Sequence, residues 1–151
     1  MYQLSIEGSV IAGFVVILDQ ITKMAAVFYL NDLEPLPLIC GILNFTLVRN
    51  TGAAFGLFKG NASLFVLISV VAIMAISFHL LKKNTVFYFP LSLILGGAIG
   101  NLIDRLRLGY VIDFIDFQVW PVFNVADSCI TIGAATLFFL IIKGKNASRT
   151  I

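Results

Sequence analysis

The chain has 151 residues, of which 60% are hydrophobic and 12% are charged, and its formal net charge is +2. A soluble domain carries about 25% charged residues, so this composition indicates an integral membrane protein. The small net charge and the scattered basic residues exclude the basic surface that nucleic-acid binding requires. We predict an all-α membrane protein, with residues 1–151 forming a single domain and with no nucleic-acid partner.

Four segments are apolar over the length of about 17–25 residues that a helix needs to cross a bilayer. They cover residues 8–29, 62–81, 86–103 and 123–142. The first segment has no Lys or Arg before residue 23, and Asp19 and Gln20 interrupt it. We therefore expect it to be retained as a helix rather than removed as a signal peptide. The break at Lys82-Lys83-Asn84 is expected to be a tight turn.

The distribution of lysine and arginine predicts the orientation in the membrane. Four spans would place both termini on the same side as the Lys82-Lys83 turn. That side would carry Lys82, Lys83, Lys143, Lys145 and Arg149, and the other side Arg49, Lys59, Arg105 and Arg107. Because the first set is concentrated in short segments, the bias toward positive charge inside predicts that both termini are cytoplasmic.

The two longer loops would then face outward. In the loop over residues 30–61, the stretch 42–48 partly alternates apolar and polar residues, as a half-exposed strand does. This alternation predicts a small β-like extracytoplasmic platform between helices 1 and 2. The loop over residues 104–122 contains Tyr110 and Trp120, and we expect it to lie in the headgroup layer.

Asp113 and Asp127 are the first candidates for chemistry. The apolar run 128–142 would be about 22 Å long as a helix, too short for a core of about 30 Å. The fourth span must therefore begin near Phe123, where an ionised Asp127 costs about 2.5–3.5 kcal/mol. Two close aspartates share one proton, which divides the acid and base roles of peptide hydrolysis between them. The alternative is that Asp127 caps the helix and Asp113 is an ordinary loop residue.

Two further polar pairs lie at helical spacing. Asn101 and Arg105 share a helix face, and Arg105 lies where a lipid phosphate or a substrate carbonyl would be. The alternative is that Arg105 extends to the headgroups and pairs with Asp104. Asp19 and Lys23 are also four residues apart, and we expect them to form a structural ion pair.

The remaining reactive side chains indicate no separate site. The spacing of Cys40 and Cys129 leaves a disulfide open, and two buried free thiols are the simpler expectation. The predicted topology places His79 on the opposite membrane face from Ser128, which argues against catalysis by a serine or cysteine with histidine. We find no ligand set for a metal or an organic cofactor.

Five motifs together resemble the lipoprotein signal peptidase family, signal peptidase II, which comprises membrane aspartic peptidases of bacteria. They are Asp19-Gln-x-Thr-Lys23, Asn44 through Asn50-Thr-Gly-Ala-Ala-Phe-Gly56, Gly97-Ala-x-Gly-Asn-Leu-Ile-Asp-Arg105, Gly109-x-Val-x-Asp-Phe-Ile115 and Phe123-Asn-Val-Ala-Asp-Ser128. The resemblance covers almost the whole chain, with the motifs in family order.

This resemblance implies that Asp113 and Asp127 form a catalytic dyad. It implies prolipoprotein substrates with a diacylglyceryl group on the lipobox cysteine, cleaved just N-terminal to that cysteine, and no metal or cofactor. It also implies that a further set of residues binds substrate or supports the dyad, namely Asn50, Gly52, Asn101, Arg105 and Asn124. Asp19 and Lys23 match positions whose role is structural. We expect a monomer in the bacterial cytoplasmic membrane, in contact with lipid and with its site on the extracytoplasmic face.

A small proton-coupled transporter or channel subunit is the alternative from another class. Such a protein would distribute ionisable residues through the membrane depth. Asp113 and Asp127 both lie at the predicted outer end instead, which favours a site open to one side.

Overall fold

Four helices and one three-stranded antiparallel sheet make up the described part of the chain. The computed structural model describes residues 6–30, 34–52, 62–81 and 87–147. In chain order the elements are α1 Ile6–Leu30, β1 Leu36–Ile39, β2 Leu43–Asn50, α2 Ala62–Leu80, α3 Tyr88–Leu108, β3 Val111–Asp116 and α4 Val125–Ala147. All four helices are long and apolar enough to cross a membrane. The predicted fold class of four transmembrane helices with a small sheet is confirmed.

Helix α3 extends beyond the predicted end at residue 103. It ends at Leu108, where Gly109 adopts a left-handed conformation with φ of 79° and its N–H donates to the carbonyl of Arg105. The hydropathy pattern ended early because charged residues begin at Asp104, but Arg and Leu are good helix formers and a glycine cap stops the helix. The predicted turn at Lys82-Lys83-Asn84 lies outside the described residues.

The sheet has the order β1-β2-β3, so its third strand comes from the segment between α3 and α4. β2 and β3 pair antiparallel, with Val48 opposite Asp113 and Arg49 opposite Ile112. The segment 104–122 was expected to be an interfacial loop, and this expectation missed the strand. The first four residues of β3 are all buried, so the strand shows no alternation of apolar and polar residues.

Helix α3 packs against the other three helices and carries the buried polar residues Asn101 and Asp104. A side chain at Gly100 would lie 2.5 Å from the carboxylate of Asp19, so glycine is needed where α1 approaches α3. At the end of α1 nearest the sheet, Ala26 and Leu30 form a core cluster with Phe114 of β3. This cluster joins the sheet to the helical bundle at one end.

Many large apolar side chains on the helices point outward. Examples are Phe14 at 64% exposure, Leu67 at 60% and Phe138 at 66%. A protein in water would bury much of this area, whereas a surface facing lipid tails has no reason to. The chain is therefore a multi-pass membrane protein.

Candidate active site

Asp113 is held in the middle of β3 and is only 1% exposed. Asn50, at the end of the neighbouring strand, donates a hydrogen bond of 2.9 Å to its Oδ2. Asn124 donates to its Oδ1 at 2.6 Å. Both oxygens of this carboxyl therefore accept an amide N–H, and the sheet fixes the direction in which the side chain points.

Asp127 lies in the first turn of α4, as the length argument required. The cap of that helix is Asn124, whose Oδ1 accepts the backbone N–H of Asp127 at 2.8 Å. The alternative in which Asp127 is itself the cap is therefore wrong. Asn101 of α3 donates a hydrogen bond of 2.7 Å to Oδ1 of Asp127.

Asn124 and Asn101 connect the two aspartates beneath the cavity. The Nδ2 group of Asn124 lies within 3.2 Å of Oδ1 of Asn101 and of the carbonyl oxygen of Ile112, in addition to its bond with Asp113. Asn124 is completely buried and does not line the cavity described below. It hydrogen-bonds both aspartates, whereas the other four residues named with it, Asn50, Gly52, Asn101 and Arg105, line the cavity.

Lys23 is the centre of a buried charge network next to these residues. Its Nζ lies 2.8 Å from Asp19, as the spacing predicted, and 2.9 Å from Asp104. Asp19 also accepts the backbone N–H of Ala126 at 2.9 Å, and Gln20 donates to Asp104 at 3.0 Å. Because each buried charge has partners, the network avoids the large penalty of an isolated ion.

Arg105 does not form the local pair with Asp104 that was considered as its alternative; no ion pair between them occurs among the described residues. Its guanidinium lies 5.2 Å from the centroid of the Phe65 ring on α2, a cation–π contact. It interacts electrostatically with Asp127 and Asp113. This geometry places a fixed positive charge beside the aspartate pair.

A cavity of about 630 Å³ opens above the pair. Its polar lining consists mainly of residues that the sequence analysis singled out: Asn50, Gly52, Asn101, Arg105, Asp113 and Asp127. Much of its remaining wall is apolar and includes Trp120, Pro121, Val122, Phe123, Ile130 and Ile132. The volume is within the range of about 300–1,000 Å³ that is usual for ligand sites.

Burial raises the pKa of Asp113 to about 7, and the charge of Asp127 acts in the same direction. The hydrogen bonds from Asn50 and Asn124 and the charge of Lys23 oppose this shift. Two carboxyl groups that interact in this way do not both ionise easily. Asp113 can therefore exchange a proton near neutral pH, as acid and base chemistry at one site requires.

The cation–π partner of Arg105 was not anticipated, and neither was the presence of Pro121, Val122 and Phe123 in the cavity wall. The run Trp120-Pro-Val-Phe123 was a usable signal, because a loop of this apolar character needs something to contact.

Both cysteines are free, as expected, but Cys40 is exposed rather than buried. Ser128 donates to the carbonyl of Asn124, so its hydroxyl belongs to the helix cap. No group of three metal-binding side chains occurs in the described ranges.

Four helices able to span a membrane, with a cavity at α3, α4 and the sheet that two carboxyl groups line, are typical of a multi-pass membrane enzyme. The sequence model of the family described as Signal peptidase (SPase) II matches residues 11–143, and the chain belongs to this family of peptidases.

Individual relatives agree with this assignment. The chain is 48% identical over 136 residues to the lipoprotein signal peptidase of Caldanaerobacter subterraneus subsp. tengcongensis, covering 88% of this chain and 94% of that protein. It is 42% identical over 130 residues to the lipoprotein signal peptidase of Halothermothrix orenii, covering 85% and 90%. It is also similar to a solved structure of a bacterial membrane enzyme, with a TM-score of 0.86 and 35% identity over 95% of this chain and 93% of that one.

Proposed function

We propose that this protein is an aspartic endopeptidase that removes signal peptides from diacylglyceryl-modified bacterial prolipoproteins. In this proposal it cleaves the bond N-terminal to the lipidated cysteine. The observation that carries the proposal is the facing pair Asp113 and Asp127, which line one cavity and are each held by amide donors. The names of the relatives, lipoprotein signal peptidases, support the substrate class.

The proposed reaction uses one ionised and one protonated carboxyl group. The ionised carboxylate takes a proton from water, and the resulting hydroxide attacks the scissile carbonyl carbon. The protonated carboxyl group donates to the carbonyl oxygen as it becomes negative. Collapse of the tetrahedral intermediate breaks the C–N bond, and the leaving amine takes the proton that the first carboxylate had removed. The former carbonyl oxygen re-forms its double bond and returns its proton to the second carboxylate, so both groups regain their starting states. The two carboxyl groups supply both the acid and the base, so the proposed mechanism needs no metal or cofactor.

The cavity lining suggests roles for the residues around the dyad. We assign substrate contacts to Asn50, Gly52, Asn101 and Arg105, which line the cavity beside the aspartates. Arg105 can donate a fork of hydrogen bonds to a carbonyl or phosphate oxygen. The apolar wall formed by residues 120–123 fits the acyl chains or the signal helix of a membrane-bound substrate.

The proposed location is the bacterial cytoplasmic membrane, with both termini cytoplasmic and the cavity at the extracytoplasmic face. We expect a monomer in contact with lipid. An impermeant thiol reagent applied to spheroplasts tests the orientation. Cys40, which is exposed beside the sheet, should react, whereas a cysteine introduced by Lys83→Cys in a Cys40→Ser background should not. Labelling in the reverse pattern would contradict this orientation.

The transporter alternative finds less support in the geometry. Asp19, which it would use as a relay, is completely buried, pairs with Lys23 and accepts a backbone N–H of α4. A carboxylate held in this way stabilises the packing of α1 against α4.

A purified-protein assay tests the proposed function. The protein in detergent, with a chelator present, is expected to cleave a diacylated prolipoprotein reporter, and mass spectrometry should find the lipidated cysteine at the new N-terminus. Cleavage at another bond would contradict the assigned position. Loss of activity with the chelator would contradict the aspartic mechanism.

A further inference from the structure

Lys23 has its hydrogen-bonding capacity fully used inside the protein. It is 1% exposed, and its ammonium group has three N–H donors. Three acceptors surround Nζ: Asp19 at 2.8 Å, Asp104 at 2.9 Å and Oδ1 of Asn101 at 2.9 Å. The two carboxylates form ion pairs with it. The third contact has no role in charge balance, and it leads directly to the catalytic dyad.

The ammonium group of Lys23 and Nδ2 of Asn124 both donate to Oδ1 of Asn101, at 2.9 Å and 3.2 Å, and together they determine which way its amide faces. An ammonium cannot accept a hydrogen bond, so the amide oxygen of Asn101 must face Lys23. The amide nitrogen then faces the opposite direction and donates to Oδ1 of Asp127 at 2.7 Å. Rotation of this amide by 180° would bring its NH₂ group against the ammonium and its oxygen against the carboxylate. Lys23, as the charged and shorter of the two contacts, therefore contributes most to excluding the orientation in which Asp127 would lose its donor.

The cations around Asp127 favour its ionised form, which its burial and the charge of Asp19 disfavour. Lys23 of α1 and Arg105 of α3 both attract its ionised form, and the N-terminus of α4 adds a partial positive charge. Asp19 of α1 repels it but is itself paired with Lys23. Asp113 of β3 faces it across the cavity, and Asp104 of α3 is paired with Lys23.

We propose that Lys23 is a positioning residue for catalysis: by fixing the amide of Asn101, it keeps Asp127 ionised as the general base and leaves the shared proton on Asp113. This inference rests on the proposed function and divides the two roles within it. It agrees with the raised pKa of Asp113, which reflects burial next to a charged Asp127. A purely structural role for Lys23 would leave the division of the proton unchanged.

The pH profile of kcat distinguishes these two roles. Activity should fall on the acidic side as Asp127 becomes protonated, and on the alkaline side as Asp113 loses its proton. Removal of the Lys23 charge should let Asp127 bind its proton more tightly, so the acidic limb should move to higher pH. We expect a shift of about one pH unit, which is a tenfold change in proton affinity. KM should change little, because Lys23 does not line the cavity.

A charge-balanced pair of variants keeps the experiment interpretable. Lys23→Met alone leaves two buried carboxylates with one cation fewer and can fail to fold. The double variant Lys23→Met/Asp104→Asn removes one charge of each sign, and Asp104→Asn alone is its matched control. The control keeps the contact between Lys23 and Asn101, so its acidic limb should stay in place or move to lower pH. The double variant should show the limb at higher pH than the control, with reporter cleavage normalised to folded protein.

A third variant tests the route through Asn101. Asn101→Leu removes the donor to Asp127, so its acidic limb should move to higher pH even with Lys23 present. In that background, removal of Lys23 should shift the limb by less than half as much as it does with Asn101 present, because residues that act through one another are not additive. If no Lys23 variant folds, an unmoved acidic limb in Asn101→Leu still refutes the inference.

Several results would overturn the inference. One is an acidic limb at the same pH in Asp104→Asn and in the double variant. Another is an unchanged acidic limb in Asn101→Leu. The third is that the shifts caused by Asn101→Leu and by removal of Lys23 add up fully. The failure of the proposed function would look different, because Asp113→Asn or Asp127→Asn would then still cleave the reporter. If Asp113→Asn and Asp127→Asn are both inactive, but the acidic limb of the double variant lies at the same pH as that of Asp104→Asn, only the role assigned to Lys23 is refuted.

Discussion

The hydrogen bond from Asn50 to Asp113 allows a quantitative test of the protonated partner. In Asn50→Ala, Oδ2 of Asp113 loses an N–H donor at 2.9 Å that lowers the pKa of this carboxyl group. A hydrogen bond to a charged group contributes about 1.5–3 kcal/mol, and the lower end applies beside an open cavity. One pKa unit corresponds to about 1.36 kcal/mol, so the pKa of Asp113 should rise from its value of about 7 by roughly one unit.

The direction of the change in activity follows from the sign of this shift. If Asp113 must be protonated, activity is lost as the pH rises through its pKa, so the alkaline limb of kcat should move to higher pH by about one unit. The acidic limb should stay in place, since Asn50 has no contact with Asp127 among the described hydrogen bonds.

The assay is the initial rate of reporter cleavage by purified protein in detergent. It is measured between about pH 5 and 9, on either side of the pKa of about 7 of Asp113. Thr46→Val is the matched control, because Thr46 lies on the same strand and donates to Asp116 at 3.1 Å rather than to the dyad. An alkaline limb that stays in place in Asn50→Ala, or that moves to lower pH, would refute the assignment of the proton to Asp113. A shift of equal size in Thr46→Val would mean that the strand, and not the hydrogen bond, controls the titration.

The remaining predictions use the same reporter. Asp113→Asn and Asp127→Asn should each abolish cleavage in a folded, inserted protein, whereas Asp116→Asn should retain it; near-normal turnover in either dyad variant is incompatible with the mechanism. An unacylated precursor should be a much poorer substrate than the diacylglyceryl form, and equal rates would indicate a general signal peptidase. Arg105→Lys should lower turnover about tenfold, or about 1.4 kcal/mol, because a lysine cannot reproduce the guanidinium fork; wild-type kinetics would make Arg105 an interfacial anchor.

The sequence by itself determined the membrane class, the four spans and the place of the two aspartates. These properties depend on local composition, because any helix that crosses a bilayer must be apolar over a fixed length. The position of Asp127 in the first turn of α4 followed from the same length requirement. The ion pair of Asp19 and Lys23 followed from their spacing on one helix.

Only the tertiary structure decided which of these residues contact one another. β3 forms because β2 and the helical core cover it, and no local alternation marks it as a strand. Asn124 binds Asp113 and caps α4, which its position in the sequence did not distinguish from a substrate contact. The contact of Lys23 with Asn101 joins residues that are 78 positions apart. A hydrogen bond between distant positions depends on how the helices pack, and the order of residues along one segment does not contain that information.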